Sequence, residues 1–120
     1  MKILIVDDSK AMRMIVQRTL RQAGFDSVEV AEAGDGLEGL AAVAEHQPDL
    51  ILSDWNMPNM SGIEFLNALR NQGNATRFGF VTSEGTDDMR ATAADAGAEF
   101  LIAKPFDSDT FRSVLGAVVS

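Results

Sequence analysis

The amino-acid sequence predicts a doubly wound parallel α/β fold in which five strands alternate with five helices. Short continuous apolar runs recur along the chain, and such runs are typical of strands that are buried on both faces. Stretches with helical apolar spacing separate these runs, which is the alternation expected of a parallel sheet covered by helices. Polar side chains directly follow several of the runs, as they do where strands of such a sheet end at a ligand crevice.

The five strands are predicted from these apolar runs. The clearest runs cover residues 3–6, 50–52 and 100–103, and two weaker ones cover residues 28–30 and 78–81. Gly79 lies inside the last of these, where glycine ordinarily weakens a strand. Either a neighbouring side chain packs closely against Gly79 or this strand is loosely held.

The helices are predicted from apolar residues that recur every three or four positions. Turn and capping residues support the boundaries: Gly24 and Gly97 fall where helices should stop, Ser61 and Gly62 open the third helix, and Asp107 or Ser108 caps the fifth. The apolar faces of the five helices are predicted to contain Met12, Ile15, Val16, Thr19 and Leu20; Leu37, Leu40, Ala41 and Ala44; Ile63, Leu66 and Leu69; the alanine-rich stretch 89–96; and Phe111, Val114, Leu115 and Val118.

Composition restricts the kind of protein. A chain of 120 residues, 46% hydrophobic and 23% charged, fits one globular domain over residues 1–120. The absence of cysteine excludes disulfides and cysteine-bound metals. A formal net charge of -8 argues against direct binding to nucleic acid, which needs clustered lysine and arginine. No apolar run is long enough for membrane insertion or a signal peptide, so we expect a cytoplasmic protein.

Polar residues that could carry chemistry follow four of the five predicted strands. Asp7 and Asp8 follow the first strand, Asp54 follows the third, Thr82 ends the fourth and Lys104 follows the fifth. Because the carboxyl ends of parallel strands share one edge of the sheet, we expect these side chains to converge. Any one of them alone is more often a cap, a turn or a surface residue, and it is their joint placement that predicts a site.

The expected cluster of carboxylates suits a divalent cation. Three carboxylates at one point repel one another unless a positive charge neutralises them. Hard oxygen ligands with room for water are typical of Mg²⁺, which also lets a carboxylate approach an anionic phosphoryl donor. Lys104 offers a second positive charge and Thr82 a hydroxyl donor for a phosphoryl oxygen.

These residues resemble the signature of response-regulator receiver domains of two-component signalling, and residues 53–62 resemble the chemotaxis-type, CheY-like members. The resemblance extends over essentially the whole chain and implies a flavodoxin-like sheet with the strand order 2-1-3-4-5. The positions that carry it are Asp7-Asp8, Asp54, Thr82, Lys104-Pro105 and the segment from Ser53 to Gly62.

The resemblance implies a role for each site residue. Asp54 is expected to accept a phosphoryl group. Mg²⁺ is expected to be held by Asp8 and Asp54 directly, by the backbone carbonyl of Asn56, and by Asp7 through a water molecule. Lys104 is expected to pair with Asp54 at rest and with the phosphoryl group afterwards, and its bond to the following proline is expected to be cis.

Further residues are implied to control switching. Thr82 is expected to swing toward the phosphoryl oxygen, and Asn56 and Glu84 are expected to set how fast water removes the group. The family normally has an aromatic residue where this chain has Leu101, and Phe100 lies on the opposite strand face. We therefore expect phosphorylation to move the loop from Thr82 to Gly85 more than the strand beyond it.

The implied partners are proteins. The phosphoryl donor is expected to be a sensor histidine kinase or a phosphotransfer protein, and His46, the only histidine, is expected to be a surface residue remote from the site. The output is expected to be binding to a downstream target such as the flagellar motor switch, and not enzymatic turnover of a substrate. The expected output surface comprises Met89, Arg90, Leu101, Phe106 and Phe111.

Other functions remain open at this point. A receiver taken from a longer transcription regulator, or one that serves as a phosphate sink, carries the same residues. An aspartate-nucleophile phosphatase of the haloacid dehalogenase type is disfavoured, since it needs Asp-x-Asp after the first strand and this chain has Asp7-Asp8-Ser9. A flavodoxin is disfavoured because two carboxylates occupy the place of its hydroxyl-rich phosphate loop.

Overall fold

Five parallel strands form a single sheet in the order β2-β1-β3-β4-β5 in the computed structural model, which describes residues 1–119. This is the predicted strand order, and five helices connect and cover the strands. In chain order the elements are β1 (Lys2–Val6), α1 (Lys10–Gln22), β2 (Glu29–Ala33), α2 (Gly36–His46), β3 (Leu50–Ser53), α3 (Gly62–Asn71), β4 (Arg77–Thr82), α4 (Asp87–Ala96), β5 (Phe100–Ala103) and α5 (Ser108–Val119).

The sheet separates two hydrophobic cores, because successive side chains of a strand point to opposite faces. In β1, Leu4 belongs to the core beneath α2, α3 and α4, whereas Ile3 and Ile5 belong to the core beneath α1 and α5. Both faces of β1 and β3 are therefore buried, which is why these strands appear in the sequence as continuous apolar runs.

Side-chain caps fix where the helices begin. Ser9, Asp35 and Thr86 each accept a hydrogen bond from a backbone N–H in the first turn of α1, α2 and α4. Ser61 forms a reciprocal capping box with Glu64 at the start of α3. The sequence predicted that this helix opens at Ser61 and Gly62, and the capping box with Glu64 was not anticipated. At α5, the Asp107 carboxylate accepts from the Thr110 N–H at 2.8 Å, so Asp107 is the residue that caps it.

Two elements differ from the sequence-based prediction by more than one residue at a boundary. β2 covers residues 29–33 and not 28–30, because it is an edge strand whose residues are largely exposed and lack a continuous apolar run. Helix α4 begins at Asp87, two residues before the alanine-rich stretch, since the Thr86 cap sets its start. Ile15, predicted on the buried face of α1, is 41% exposed.

Close packing explains the glycine inside β4. Gly79 lies opposite Phe100 of the neighbouring strand, and the Phe100 ring occupies the space that a side chain at Gly79 would need. A Cβ atom built there would lie 2.0 Å from Phe100 Cζ. Of the two explanations open at the sequence level, the structure therefore selects close packing. Phe100 is partly buried against the core beneath α1 and α5.

Candidate functional site

The predicted site residues lie together at the carboxyl edge of the sheet. β1, β3, β4 and β5 run parallel in register, so the residues that end or follow them reach the same rim. The rim carries Asp7 and Asp8 after β1, Asp54 after β3, Thr82 at the end of β4 and Lys104 after β5.

Three carboxylates meet at one point of this rim. Asp7, Asp8 and Asp54 each offer an oxygen, and these oxygens lie within 4.8 Å of one another. Asp7 is buried, Asp54 is half-buried and Asp8 is exposed, so the cluster opens to solvent on the Asp8 side. A compact set of carboxylate oxygens with an open side fits a hard divalent cation that keeps part of its water shell.

Backbone groups orient the two inner carboxylates. Asp7 Oδ1 accepts from the Ser9 N–H at 2.9 Å, and Asp54 Oδ1 accepts from the Trp55 N–H at 2.7 Å. The main-chain N–H of Asp54 donates to the Val6 carbonyl at 2.9 Å, which extends the pairing of β1 and β3 into the site. One oxygen of each inner carboxylate is thereby fixed, and the other is turned toward the centre of the rim.

Lys104 bridges these two free oxygens. Its Nζ lies 3.1 Å from Asp7 Oδ2 and 3.3 Å from Asp54 Oδ2, and its side chain is only 14% exposed. The resting contact with Asp54 has the geometry that the family resemblance implied, and the contact with Asp7 was not anticipated. Three carboxylates against one ammonium leave two negative charges at the rim. The Lys104–Pro105 bond is cis, as the resemblance implied.

Thr82, Glu84 and Asn56 form a chain of contacts next to Asp54. The Thr82 residue is fully buried, and its hydroxyl oxygen accepts from the Glu84 N–H at 3.4 Å. Glu84 Oε1 in turn accepts from Asn56 Nδ2 at 3.4 Å. Both bonds are at the long limit for hydrogen bonds, so this chain of contacts is weaker than the contacts of Lys104 with Asp7 and Asp54.

Arg13 supports the site and was missed by sequence reasoning. Its Nη1 donates to the Asp7 carbonyl at 2.6 Å, and its Nε donates to Glu32 Oε1 at 2.9 Å. The guanidinium thus ties the loop after β1 to the end of β2. No short sequence spacing signals this contact, because Arg13 and Glu32 meet only once β1 and β2 are paired.

The expected output surface is only partly a surface. Met89 and Phe106 are partly buried and Arg90 is exposed, but Leu101 is 9% exposed and contributes little area. The assignment of Phe111 to this surface is wrong, because Phe111 is 0% exposed and packs in the core beneath α1 and α5.

The remaining expectations about location concern His46 and the membrane. His46 ends α2 and lies next to Glu45, with its side chain 36% exposed. Since α2 runs back from the carboxyl edge of the sheet, its end is remote from the rim. Among residues 1–119, no helix combines the length and the apolar character needed to cross a bilayer.

Known proteins share both the sequence and the fold. Residues 3–115 match the model of the response regulator receiver domain. A probable chemotaxis protein CheY of Rhizobium etli is 37% identical over 98% of this chain and 91% of its own length. Chemotaxis protein CheY-3 of Vibrio cholerae is 38% identical, with the same two shares covered.

Solved structures agree with these relatives. The chemotaxis response regulator CheY4 of Vibrio cholerae superimposes with a TM-score of 0.85 at 38% identity, covering 98% of both chains. A CheY-like receiver from Methanospirillum hungatei gives the same TM-score at 27% identity, covering 98% of this chain and 91% of its own. Together with the rim of strand-end residues, these matches place the chain in the family of response regulator receiver domains, among its CheY-like members.

Proposed function

We propose that this receiver accepts a phosphoryl group on Asp54, with Mg²⁺ bound by the carboxylate cluster, and that it serves a CheY-like role in chemotaxis. The observation that carries the proposal is the meeting of Asp7, Asp8 and Asp54 within 4.8 Å, beside the ammonium of Lys104. The names of the chemotaxis relatives support the role, and their coverage of nearly the whole chain supports carrying it over.

Asp54 is oriented to act as the nucleophile. One of its oxygens is held by the Trp55 N–H, so the carboxylate cannot rotate freely. A carboxylate oxygen forms the new bond to phosphorus while the P–N bond of a donor phosphohistidine breaks. The imidazole nitrogen keeps the bonding electron pair and is protonated. The same attack on acetyl phosphate breaks a P–O bond and releases acetate.

The positive charges at the rim make this attack possible. Mg²⁺, when bound, supplies the charge that lets two anions approach and stabilises the transferring oxygens. Asp8 and Asp54 are the proposed direct ligands, together with the backbone carbonyl of Asn56, and Asp7 acts through water. Lys104 starts between Asp7 and Asp54 and needs only a small shift to meet a phosphoryl oxygen.

Thr82 supplies the switch in this proposal. Among residues 1–119, its hydroxyl accepts one long hydrogen bond, from the Glu84 N–H, so its proton is available to a phosphoryl oxygen. A hydrogen bond to a charged acceptor contributes about 1.5–3 kcal/mol, which is a population shift of roughly ten- to a hundredfold. The loop from Thr82 to Gly85 follows the hydroxyl, and Asn56 and Glu84 position or obstruct the water that later removes the group.

The proposed partners follow from this chemistry. A sensor histidine kinase or a phosphotransfer protein donates the group in the cytoplasm, and the chain works as a signalling protein and not as an enzyme with an external substrate. A downstream target such as the flagellar motor switch binds the surface formed by Met89 and Arg90 of α4 and by Phe106, which lies between β5 and α5. The net charge of -8 supports a protein target and not nucleic acid.

Incubation with acetyl phosphate and Mg²⁺, followed by intact-mass measurement, tests the acceptor. Wild type and the control Asp26→Asn, an exposed carboxylate away from the rim, are each expected to gain one phosphoryl group. Asp54→Asn is expected to gain none, and the label on wild type is expected to be lost in hydroxylamine. Equal labelling of Asp54→Asn and wild type would exclude Asp54 as the acceptor.

Deletion of the gene in the parent organism tests the chemotaxis role. Loss of flagellar reversals is expected, with restoration by the wild-type gene and not by Asp54→Asn. Normal reversals after deletion would exclude this role, and labelling of Asp54 in the previous experiment would stand independently.

A further inference from the structure

Two contacts tie the loop after β3 to the start of α2. The first joins side chains: Asn59 Nδ2 donates to Asp35 Oδ2 at 2.8 Å. The second joins main chains: the Gly36 N–H donates to the Met60 carbonyl at 3.2 Å. The tied loop lies between β3 and α3 and includes Asn56, whose backbone carbonyl is a proposed Mg²⁺ ligand. Contacts outside the rim thus hold the loop that carries one of the proposed ligands.

Asp35 uses its two carboxylate oxygens for two different tasks. Oδ1 accepts from the Glu38 N–H at 2.8 Å and so caps α2, whereas Oδ2 accepts from Asn59. The residue is only 6% exposed. The Glu38 N–H and the Asn59 amide hold the pKa of Asp35 below its ordinary value, so the carboxylate is ionised near neutral pH. Hydrogen bonds to an ionised acceptor are stronger than those between neutral groups. A helix cap needs one oxygen, which serine also supplies, so the second oxygen is what aspartate adds here.

The backbone at Asn59 suits the contact with Asp35. Its φ of 67° lies in the left-handed region, which asparagine adopts more readily than most residues. The Met60 N–H donates to the Pro58 carbonyl at 2.7 Å, which closes a tight three-residue turn around Asn59. Such a backbone persists where its surroundings hold it. The turn brings the amide of an exposed residue to a buried carboxylate.

Close packing at Gly36 brings the loop and the helix start into direct contact. A Cβ atom built on Gly36 would lie 2.6 Å from Met60 Cγ and 2.9 Å from the Met60 carbonyl oxygen. The Asp35–Asn59 bond joins the residues that directly precede these two. A displacement of the loop away from α2 therefore stretches both contacts together.

We propose that Asp35 and Asn59 are positioning residues that hold the loop after β3 in the arrangement that Mg²⁺ binding requires. The inference rests on the proposed function, since it takes the Asn56 carbonyl as a metal ligand. The two residues act through the loop, by raising the fraction of molecules in which it is ready to bind. The apparent dissociation constant rises in inverse proportion to that fraction. Because the bond from Gly36 remains, we expect loss of the Asp35–Asn59 bond to weaken Mg²⁺ binding by about three- to tenfold.

Two variants remove this bond and keep the other features of these residues. Asn59→Gly lacks the amide but keeps the left-handed backbone, because glycine adopts a positive φ readily. Asp35→Ser keeps a good helix cap but has a single oxygen with a shorter reach. Asp49→Ser is the matched control. It makes the same change in charge and removes the carboxylate that accepts from the Lys2 N–H at 2.8 Å, at the opposite edge of the sheet.

Titration with Mg²⁺, followed by Trp55 fluorescence and by the amide chemical shift of Asp8, measures the affinity. Asn59→Gly and Asp35→Ser are each expected to bind about three- to tenfold more weakly than wild type. The double variant is expected to bind no more weakly than either single variant, because both changes remove the same bond. Asp49→Ser is expected to stay within about twofold of wild type, because solvent screens a distant exposed charge.

Two further measurements separate positioning from a general loss of stability. In metal-free buffer, amide hydrogen exchange in residues 56–60 is expected to be several-fold faster in Asn59→Gly, with exchange in α2 unchanged because the Asp35 cap is intact. Destabilisation of the whole domain would speed exchange in both places. At saturating Mg²⁺, labelling of Asn59→Gly by acetyl phosphate is expected to proceed within about twofold of the wild-type rate, since the variant changes metal affinity and not the acceptor.

Three results would overturn the positioning role. These are wild-type Mg²⁺ affinity in Asn59→Gly, additive losses in the double variant, and a loss in Asp49→Ser equal to that in Asp35→Ser. Asp8→Asn separates this role from the proposed function. Unchanged Mg²⁺ affinity in Asp8→Asn would refute the metal site and the inference with it. A strong loss in Asp8→Asn with none in Asn59→Gly would refute the positioning role alone.

Discussion

Replacement of Gly79 by alanine tests the closest approach between β4 and β5. The new Cβ would lie 2.0, 2.1 and 2.6 Å from Cζ, Cε1 and Cδ1 of Phe100, well inside contact distance. The ring cannot yield like the end of a flexible chain, because three of its atoms clash at once. Overpacking of this kind costs about 1–3 kcal/mol. Replacing glycine by alanine also reduces the conformational entropy of the unfolded chain, which stabilises the folded state by about 0.5–1 kcal/mol. We therefore expect a net destabilisation of about 1–2 kcal/mol.

Urea unfolding of a double-mutant cycle measures this cost. Gly79→Ala is expected to lower the free energy of unfolding in wild type and to be neutral or slightly stabilising once Phe100→Ala has removed the ring. The resulting coupling free energy should lie in the range of about 0.5–3 kcal/mol that contacting residues show. Gly116→Ala is the matched control, because a Cβ at Gly116 meets no atom of the described residues within 4 Å. In helix α5 this change should stabilise by up to about 1 kcal/mol. An equal cost of Gly79→Ala in both backgrounds would refute the reasoning from the ring.

Three further predictions concern the site and its supports. In metal-free buffer, Asp8→Asn is expected to raise the melting temperature, because it relieves the repulsion among the three carboxylates. Asp7→Asn is expected to lower the melting temperature, because it removes the ion pair with Lys104 at 3.1 Å. A higher melting temperature in both variants would contradict this ion pair. The pKa of Asp35 is held below its ordinary value of 3.8, chiefly by the hydrogen bond from the Glu38 N–H. The ionised Asp35 carboxylate therefore stabilises the folded state fully above pH 3.8, and this stabilisation is lost as the pH falls through the lower pKa of the folded state. In urea unfolding, the difference in the free energy of unfolding between wild type and Asp35→Asn should therefore shrink as the pH is lowered. Arg90→Ala is expected to speed amide hydrogen exchange in residues 83–86 several-fold, because it removes the hydrogen bond from Arg90 Nε to the Gly85 carbonyl. Unchanged exchange would show that this hydrogen bond does not stabilise the loop.

The fold could be predicted from the sequence wherever burial leaves a pattern. The inner strands β1 and β3 are covered on both faces and therefore appear as apolar runs. The edge strand β2 has one buried residue among its five, so its bounds could not be read from hydrophobicity. Phe111 was assigned both to the apolar face of α5 and to the output surface, and only the first assignment is correct. The apolar face of α2 was misjudged, since Leu37 was assigned to it and is 52% exposed.

The site could be predicted as far as strand ends determine it. Asp7, Asp54 and Lys104 converge because parallel strands place their carboxyl ends at one edge. Contacts that depend on side-chain reach could not be predicted in the same way. The Lys104 side chain is long enough to contact the carboxylates of Asp7 and Asp54 at once, and the Arg13 side chain donates to the Asp7 carbonyl. The spacing of these residues along the sequence indicates neither contact.

The two hydrogen bonds of Arg90 have a consequence for how α4 can move. Its Nη1 donates to the Leu101 carbonyl at 3.0 Å, whereas its Nε donates to the Gly85 carbonyl at 3.4 Å. Hydrogen bonds weaken steeply with stretching and misalignment, so a given displacement breaks the longer one first. If α4 and the loop after β4 move apart, we therefore expect the bond to Gly85 to break first, while the bond to Leu101 keeps α4 attached to β5.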